Sequence, residues 1–370
     1  MARRSILSVA ALLAVLAIPT AFAASDTERT AHASVADQAI LLRGKPFFPV
    51  MLIDQCDPGA AARARSLGVN LVLNESCQGV SARKQLARVS AGAFAVLPMS
   101  GQGSEGARLV GWSYPDEPDN NGWTPTRLEQ TFDYHAGSPD GLLSFMTTSG
   151  SFFHGSYRNP TVSLATFAKF AHIPDVAGFD LYPLNHCQQD LSVVADAQRQ
   201  FTELAGGRPT FQWIETGPIK PTYCGGFQMS PQQLGAETWL AIVGGARGIG
   251  FFTHTWSPAH KAFDVTPALQ LAIKRTTASI AAVQPGLTGR TVPSSADSGA
   301  IRVLARVSGA KTYVFAVNAT NAPVQAQLDV PSIGDTPIGV FGEDRSRAPA
   351  SGHFDDSFGP YGIHIYVARS

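Results

Sequence analysis

The stretch PTFQWIETG, residues 209–217, decides the fold of this chain. It is a near-continuous apolar run with one carboxylate, Glu215, near its end. A helix pattern follows it, and then comes a second apolar run, GIGFFTHTW at 248–256. Strands of a parallel sheet are buried on both faces, so they read as continuous apolar runs, and helices connect them. This segment therefore predicts a strand–helix–strand unit of a parallel sheet.

Six further runs of the same kind precede this unit, and helix patterns separate most of them. They are PFFPVMLID (46–54), VNLVLNES (69–76), FAVLPMS (94–100), LVGWSYPDE (109–117), LLSFMTTSG (142–150) and VAGFDLYPL (176–184). Eight such runs over roughly 240 residues match the usual size of a (β/α)₈ barrel. A doubly wound open sheet is the alternative, but the chain carries neither GxGxxG nor a Walker signature. We predict an α/β fold, a (β/α)₈ TIM barrel over residues 24–285.

The residue pattern of the sequence changes after Gln284. Short β-type runs such as KTYVFAVNAT and GIHIYVARS alternate with Gly, Pro, Asn and Asp. This pattern is typical of antiparallel sheets with tight turns. We therefore predict a small β-sandwich over residues 286–370, packed on the barrel as a structural cap.

Composition and the N-terminus indicate where the protein works. The 370 residues hold 28 Lys+Arg and 28 Asp+Glu, so no overall field attracts nucleic acid or an anionic membrane. Arg3 and Arg4, an apolar run over 6–18 and the small-x-small site at 21–23 form a secretory signal peptide. We expect cleavage after residue 23, no membrane attachment of the mature chain, and a secreted protein, extracellular or periplasmic.

The four cysteines are expected to pair in an oxidising compartment. Three connectivities are open to four cysteines. Each lies just past an apolar run, and neighbouring runs should be neighbours in space, so we predict Cys56–Cys77 and Cys187–Cys224. The alternative, a metal site, lacks CxxC spacing and nearby histidines, and the nine histidines are scattered. The sequence predicts no metal and no cofactor.

Polar residues at the ends of the runs are the candidates for the site, because a barrel of this type carries its active site at the carboxyl ends of its strands. Glu117 follows the fourth run and Glu215 ends the seventh, and we predict that both are catalytic. The side chains predicted to bind substrate beside them are Asp54, Asp116, Tyr182, Asn185, His254 and Trp256.

Two carboxylates on opposite sides of a cavity are suited to cleavage of a glycosidic bond. One is a protonated acid that assists the leaving oxygen, and the other is an anion that faces the anomeric carbon. Side chains alternate along a strand, so Trp213 and Glu215 share one face, as do Asp180 and Tyr182. Tyr182 is placed to orient Glu215, and Trp256 to provide a flat surface under a sugar ring.

The arrangement resembles the large clan of retaining glycoside hydrolases with a (β/α)₈ barrel, called clan A. Asp116-Glu117-Pro118 is similar to the Asn-Glu-Pro motif of the clan, which holds its acid/base, and Glu215 stands where the clan has its nucleophile. A Tyr after the sixth strand and a Trp after the eighth match Tyr182 and Trp256. The resemblance implies a secreted O-glycosyl hydrolase that acts on an oligo- or polysaccharide by retaining double displacement.

Asp116 departs from the clan, which has Asn at this position. A paired Asp and Glu resembles instead the hexosaminidases that use the substrate's own 2-acetamido group as nucleophile, so Asp116 and Glu117 would then be catalytic and Glu215 structural. A carbohydrate-binding barrel without activity is the alternative from another class. The acidic pair would also be explained if it only capped the segment before TPTRLEQ (124–130) or solvated a turn. A Ser/His/Asp hydrolase is poorly supported, because no GxSxG elbow is present.

Overall fold

The computed structural model describes residues 32–55, 57, 59–73, 94–98, 109–132, 141–153 and 162–369. Eight parallel strands close into a barrel in the order in which they occur along the chain, and the eighth pairs with the first through Ile249 and Val50. The barrel strands are β4 (Val50–Ile53), β5 (Leu71–Leu73), β6 (Phe94–Pro98), β7 (Leu109–Ser113), β8 (Leu143–Ser149), β9 (Val176–Asp180), β10 (Thr210–Glu215) and β11 (Gly248–Phe252). The predicted TIM barrel is confirmed, and each of the eight apolar runs contains one strand.

Helices cover the outside of the barrel. They are α1 (Ala60–Ser66), α2 (Pro125–Thr131), α3 (Leu164–Ala171), α4 (Ser192–Leu204), α5 (Pro231–Val243), α6 (Pro267–Ala282) and α7 (Gln284–Leu287). Helix α5 begins with a capping box, in which Ser230 and Gln233 satisfy each other's backbone N–H groups. Most of α5 is buried, because it packs between the barrel and the C-terminal sheets, where Trp239 stacks on Phe315 with ring centroids 5.6 Å apart.

The interior of the barrel is filled by large side chains of β10. Phe211 and Trp213 belong to the interior apolar cluster, so the face of β10 that also carries Glu215 points inward. A Cβ at Gly178 of β9 would lie 2.1 Å from the Phe211 ring, and one at Gly250 of β11 would lie 2.2 Å from Trp213. The two glycines therefore make room for the aromatic rings of the strand between them.

Antiparallel sheets form the rest of the described chain. Near the N-terminus β1 (Ala33–Ala36), β2 (Ala39–Leu42) and β3 (Lys45–Phe47) form a meander whose Ile40 joins the interior cluster. The C-terminal strands are β12 (Arg290–Val292), β13 (Ser295–Ala296), β14 (Ile301–Ser308), β15 (Lys311–Asn318), β16 (Val324–Asp329), β17 (Ile338–Val340), β18 (Ser346–Arg347), β19 (His353–Phe358) and β20 (Ile363–Arg369). A six-stranded sheet, β12-β14-β15-β20-β17-β18, packs on a three-stranded one, β13-β16-β19, around a core of their own. The predicted sandwich is confirmed.

One predicted disulfide is present. Cys187 and Cys224 are bonded, with Cα atoms 5.2 Å apart, and join the segments that follow β9 and β10. Cys56 and Cys77, like the predicted signal peptide 1–23, lie outside the described residues. No helix in the described ranges is both long and apolar enough to cross a membrane.

Candidate active site

The turn that carries Glu117 is anchored on the carboxyl end of β8. The backbone N–H of Glu117 donates to Thr147 O at 3.0 Å, and the Asp119 carboxylate accepts the Ser149 backbone N–H at 3.0 Å as well as its hydroxyl. Glu117 has a φ of 40°, a left-handed conformation that is unusual for a residue with a side chain. The turn is therefore held in one conformation by the barrel.

The acidic pair does not cap a helix. Helix α2 is capped by Thr124, whose hydroxyl accepts the Arg127 N–H. Asp116 is exposed and Glu117 is half-buried, with its Oε2 accepting a bond of 3.1 Å from Asn120. The interpretation of Asp116 and Glu117 as a helix cap is therefore wrong, and Glu117 lies at the rim of the barrel.

Asp180 is a site residue that the sequence analysis did not assign. It ends β9 on the inward face, and Glu117 lies close enough for its charge to act on the Asp180 carboxyl. Burial, then the charge of Glu117 and that of Asp116, raise the pKa of Asp180 well above its usual value. Its Oδ1 is buried and has no hydrogen-bond partner among the described residues. Asp180 and Glu117 are thus neighbouring carboxyl groups, and a like charge beside a buried carboxyl favours its protonated form.

Tyr182 lies where the carboxyl groups converge. It is 8% exposed, and burial raises the pKa of its phenol well above the usual value. The charges of Asp180, Asp116, Glu117 and Glu215 raise it further, in that order. Carboxyl groups at the ends of the fourth, sixth and seventh strands therefore all lie near enough to Tyr182 for their charges to act on its phenol.

Glu215 is fully buried and held by N–H donors. Its Oε1 accepts the Leu184 backbone N–H at 2.7 Å, and its Oε2 accepts the Asn185 backbone N–H at 3.0 Å and the Asn185 side-chain amide. Both backbone donors belong to a short 3₁₀ turn, Leu184–His186, that closes over the end of β10. Burial raises the pKa of Glu215 to about 8, although these hydrogen bonds act in the opposite direction.

A second buried glutamate lies behind the first. Glu237 of α5 is 0% exposed, and its Oε1 accepts the backbone N–H of Glu215 at 3.3 Å. Its Oε2 has no hydrogen-bond partner among the described residues. Burial, and then the charge of Glu215, raise the pKa of Glu237 well above its usual value. Burial and the charge of Glu215 therefore favour the neutral form of Glu237.

We expect the stability of Glu237→Gln, relative to that of the wild type, to rise between pH 5 and pH 8. Because the pKa of Glu237 is raised in the folded chain, this group's contribution to stability is fully present below pH 4.5 and is lost as the pH rises. Glutamine carries no titrating proton, so the variant does not lose this contribution. Urea unfolding at the two pH values should show a change of at least about 1.4 kcal/mol in the difference between the two proteins, which corresponds to one pKa unit. The exposed Glu203→Gln is the matched control, and an equal effect of Glu237→Gln at both pH values would contradict the expectation.

His254 and Trp256 lie on the loop after β11. Both His254 ring nitrogens have protein partners: Nε2 donates to Ile53 O at 3.1 Å, and Nδ1 is 2.9 Å from His260 Nε2. Trp256 is 50% exposed, and one face of its indole stacks on His260 with centroids 4.3 Å apart. Trp256 is thus supported from one side and open to solvent, whereas the nitrogens of His254 serve to hold the loop.

The remaining predicted substrate contacts differ in what they touch. Asn185 is 5% exposed, and besides its bonds to Glu215 its Oδ1 accepts the Ile219 N–H at 3.0 Å. Its side-chain amide is fully hydrogen-bonded within the protein, so Asn185 holds Glu215 in position. Asp54 follows β4 in a left-handed conformation, half-buried, and its N–H donates to Leu73 O at 2.7 Å.

Solved structures share this architecture. A glycoside hydrolase family 30 endoxylanase from Clostridium papyrosolvens matches with a TM-score of 0.53 and 14% identity, over 92% of this chain and 99% of that one. A family 5 glycoside hydrolase from Bacteroides vulgatus gives a TM-score of 0.54 and 12% identity, over 91% and 93%. A maltogenic α-amylase from Thermotoga neapolitana gives 0.52 and 9%, over 88% and 99%. The chain has the fold of these hydrolases.

At this level of identity the likeness extends to the fold, and the predicted resemblance to barrel glycoside hydrolases is confirmed to that extent. The sequence matches no protein-family model and no curated protein. What the chain does must therefore be argued from its own residues.

Proposed function

We propose that this protein is a glycoside hydrolase that cleaves O-glycosidic bonds of an oligo- or polysaccharide. The observation that carries the proposal is the placement of Glu117, Asp180 and Glu215 at the carboxyl end of the barrel, after β7 and at the ends of β9 and β10, where their charges act on Tyr182. Carboxyl groups in differing surroundings are what glycosidic cleavage requires, because one must give a proton while another carries negative charge. The endoxylanase and the amylase with the same fold support a polysaccharide substrate.

Glu117 is the proton donor in this proposal. It is half-buried on a rim turn, so it reaches a leaving oxygen in the cleft, and it stands beside Asp180, whose raised pKa favours the protonated form. As the glycosidic C–O bond breaks, Glu117 gives its proton to the leaving oxygen. It then takes one from the attacking water in the second half of the reaction. Trp256, supported by His260, offers its open face to a sugar ring.

The attack on the anomeric carbon can follow two routes. In the retaining double displacement Glu215 attacks, and the 3₁₀ turn Leu184–His186 has to move because Glu215 is 0% exposed. In the substrate-assisted route the 2-acetamido oxygen of the sugar attacks, and Asp180 or Asp116 holds the acetamido N–H. The burial of Glu215 favours the second route, and its position at the end of β10 favours the first. Since residues 1–23 match a signal peptide, we place the reaction outside the cytoplasm.

A panel of aryl glycosides with and without a 2-acetamido group tests the proposal. Hydrolysis of sugars that lack the acetamido group, with the anomeric configuration retained in ¹H NMR, is expected for attack by Glu215. Activity confined to 2-acetamido sugars, also with retention, is expected for the substrate-assisted route. Inversion of the configuration would remove both routes. Binding of oligosaccharides without any turnover would make the protein a carbohydrate-binding barrel.

A further inference from the structure

A cleft of about 580 Å³ lies between the barrel and the sandwich. Its lining includes Arg247, directly before β11, and Gly244 and Gly245, directly after α5, so it opens at the amino-terminal end of the barrel. The proposed active site follows the carboxyl ends of the strands and is therefore at the opposite end. This cleft has no part in the proposed hydrolysis.

Two buried arginines form the floor of the cleft. Arg247 is 8% exposed and Arg306, on β14, is 1% exposed. Both donate to one acceptor, the carbonyl oxygen of Leu287, and Arg247 also donates to Gly289 O at 3.2 Å. The two guanidinium groups therefore lie side by side on the same neutral oxygen.

Neither cation has an acidic partner among the described residues. No Asp or Glu lines the described part of the cleft, and no ion pair in that part of the chain involves either side chain. The Nε of Arg306 is buried and has no hydrogen-bond partner there. Burial lowers the pKa of both guanidinium groups, and the charge of Arg247 lowers that of Arg306 further. Arginine nevertheless stays charged in proteins, so two like charges are buried together.

A third arginine stands at the rim. Arg199 of α4 lines the cleft, and its side chain is 54% exposed. Its Nη1 is 3.5 Å from Asp196, whose other oxygen binds Arg302. The hydroxyl of Thr202 and the backbone of Gly245 lie on the same wall. The lining of the cleft thus combines three arginines with small polar groups, and none of its described residues carries a carboxylate.

Buried charges are normally paired, because a buried charge loses its hydration and an unpaired one gains no attraction to an opposite charge in exchange. Arg247 and Arg306 both line this cleft, and planar guanidinium groups match the oxygens of a tetrahedral anion in a bidentate way. We propose that this cleft binds a small oxyanion of the phosphate and sulfate class, held by Arg247 and Arg306 and closed off by Arg199. The cleft is larger than the bare anion, so the oxyanion can be a free ion or a group on a sugar.

Isothermal titration of the full mature chain with sodium phosphate tests this proposal, with sodium chloride at equal ionic strength as the reference. We expect saturable binding of phosphate and none of chloride. Arg306→Lys keeps the charge but loses the planar donors, and Arg199→Gln removes the rim cation; each should weaken binding at least about tenfold. Arg290→Gln, which removes an exposed cation of β12 outside the cleft lining, should bind as the wild type does.

The outcomes separate the alternatives. Two results would overturn the proposal: equal heats of binding for phosphate and chloride, or an equal loss of affinity in Arg199→Gln and Arg290→Gln. The buried arginines would then only join the two domains. Arg199 is half-exposed, so this test stands even where Arg306→Lys fails to fold. Titration with glucose 6-phosphate identifies the source of the oxyanion: tighter binding than phosphate indicates a phosphorylated sugar, and weaker binding a free ion.

Discussion

Glu117→Gln is expected to lower kcat/KM for hydrolysis of unactivated glycosides by about 10³-fold, a typical contribution of general acid catalysis. Glutamine keeps the shape and can still meet Asp180, but it has no proton to give to the leaving oxygen. The turn is held to β8 by the backbone of residue 117 and by Asp119, so the fold should persist. The measurement is steady-state hydrolysis together with a thermal melt.

The leaving group provides a sharper test of the same role. A dinitrophenyl glycoside departs without protonation, so Glu117→Gln should lose less than about tenfold on that substrate. Glu129→Gln, an exposed carboxyl on nearby α2, is the matched control and should leave both rates unchanged. Equal losses of Glu117→Gln on both substrates would show that Glu117 binds the sugar and transfers no proton.

The barrel could be predicted from the sequence because its strands are buried on both faces. Runs such as FQWIE and VAGFD are nearly continuous in apolar side chains, and turn residues follow them, so both the strands and their order along the chain are visible. The same logic placed Glu215 at a strand end. The inward direction of Glu215 was not visible, because it depends on Gly178 and Gly250, whose missing side chains admit Phe211 and Trp213.

The partners of the site residues were beyond the sequence. Asp180 shares a face with Tyr182, and that signal was available, but its closeness to Glu117 arises only because the turn after β7 folds over the end of β8, the strand next to β9. The predicted binding residues Asn185 and His254 looked like free polar side chains at strand ends. Their hydrogen bonds to Glu215, Ile53 and His260 come from distant segments or from the shape of a loop, which no local pattern records.

Glu215→Gln is expected to change both stability and activity, and the two effects identify its role. Three N–H groups point at the carboxyl of Glu215, and a glutamine amide would direct its own N–H₂ at one of them. A buried donor left without an acceptor destabilises a fold, so we expect the free energy of unfolding to fall by about 2 kcal/mol. The exposed Glu203→Gln should show no such loss in urea unfolding.

Activity per folded molecule then decides between the two routes of attack. If Glu215 is the nucleophile, Glu215→Gln loses at least about 10³-fold in kcat after correction for the folded fraction. Asp180→Asn should lose less and should shift the pH profile, because it removes a titrating carboxyl beside Glu117. In the substrate-assisted route the order reverses, since Asp180 then contacts the reacting acetamido group and Glu215 only supports the turn above it. If Glu215→Gln keeps its kcat, Glu215 is not the nucleophile, and the attack comes from the acetamido group of the substrate.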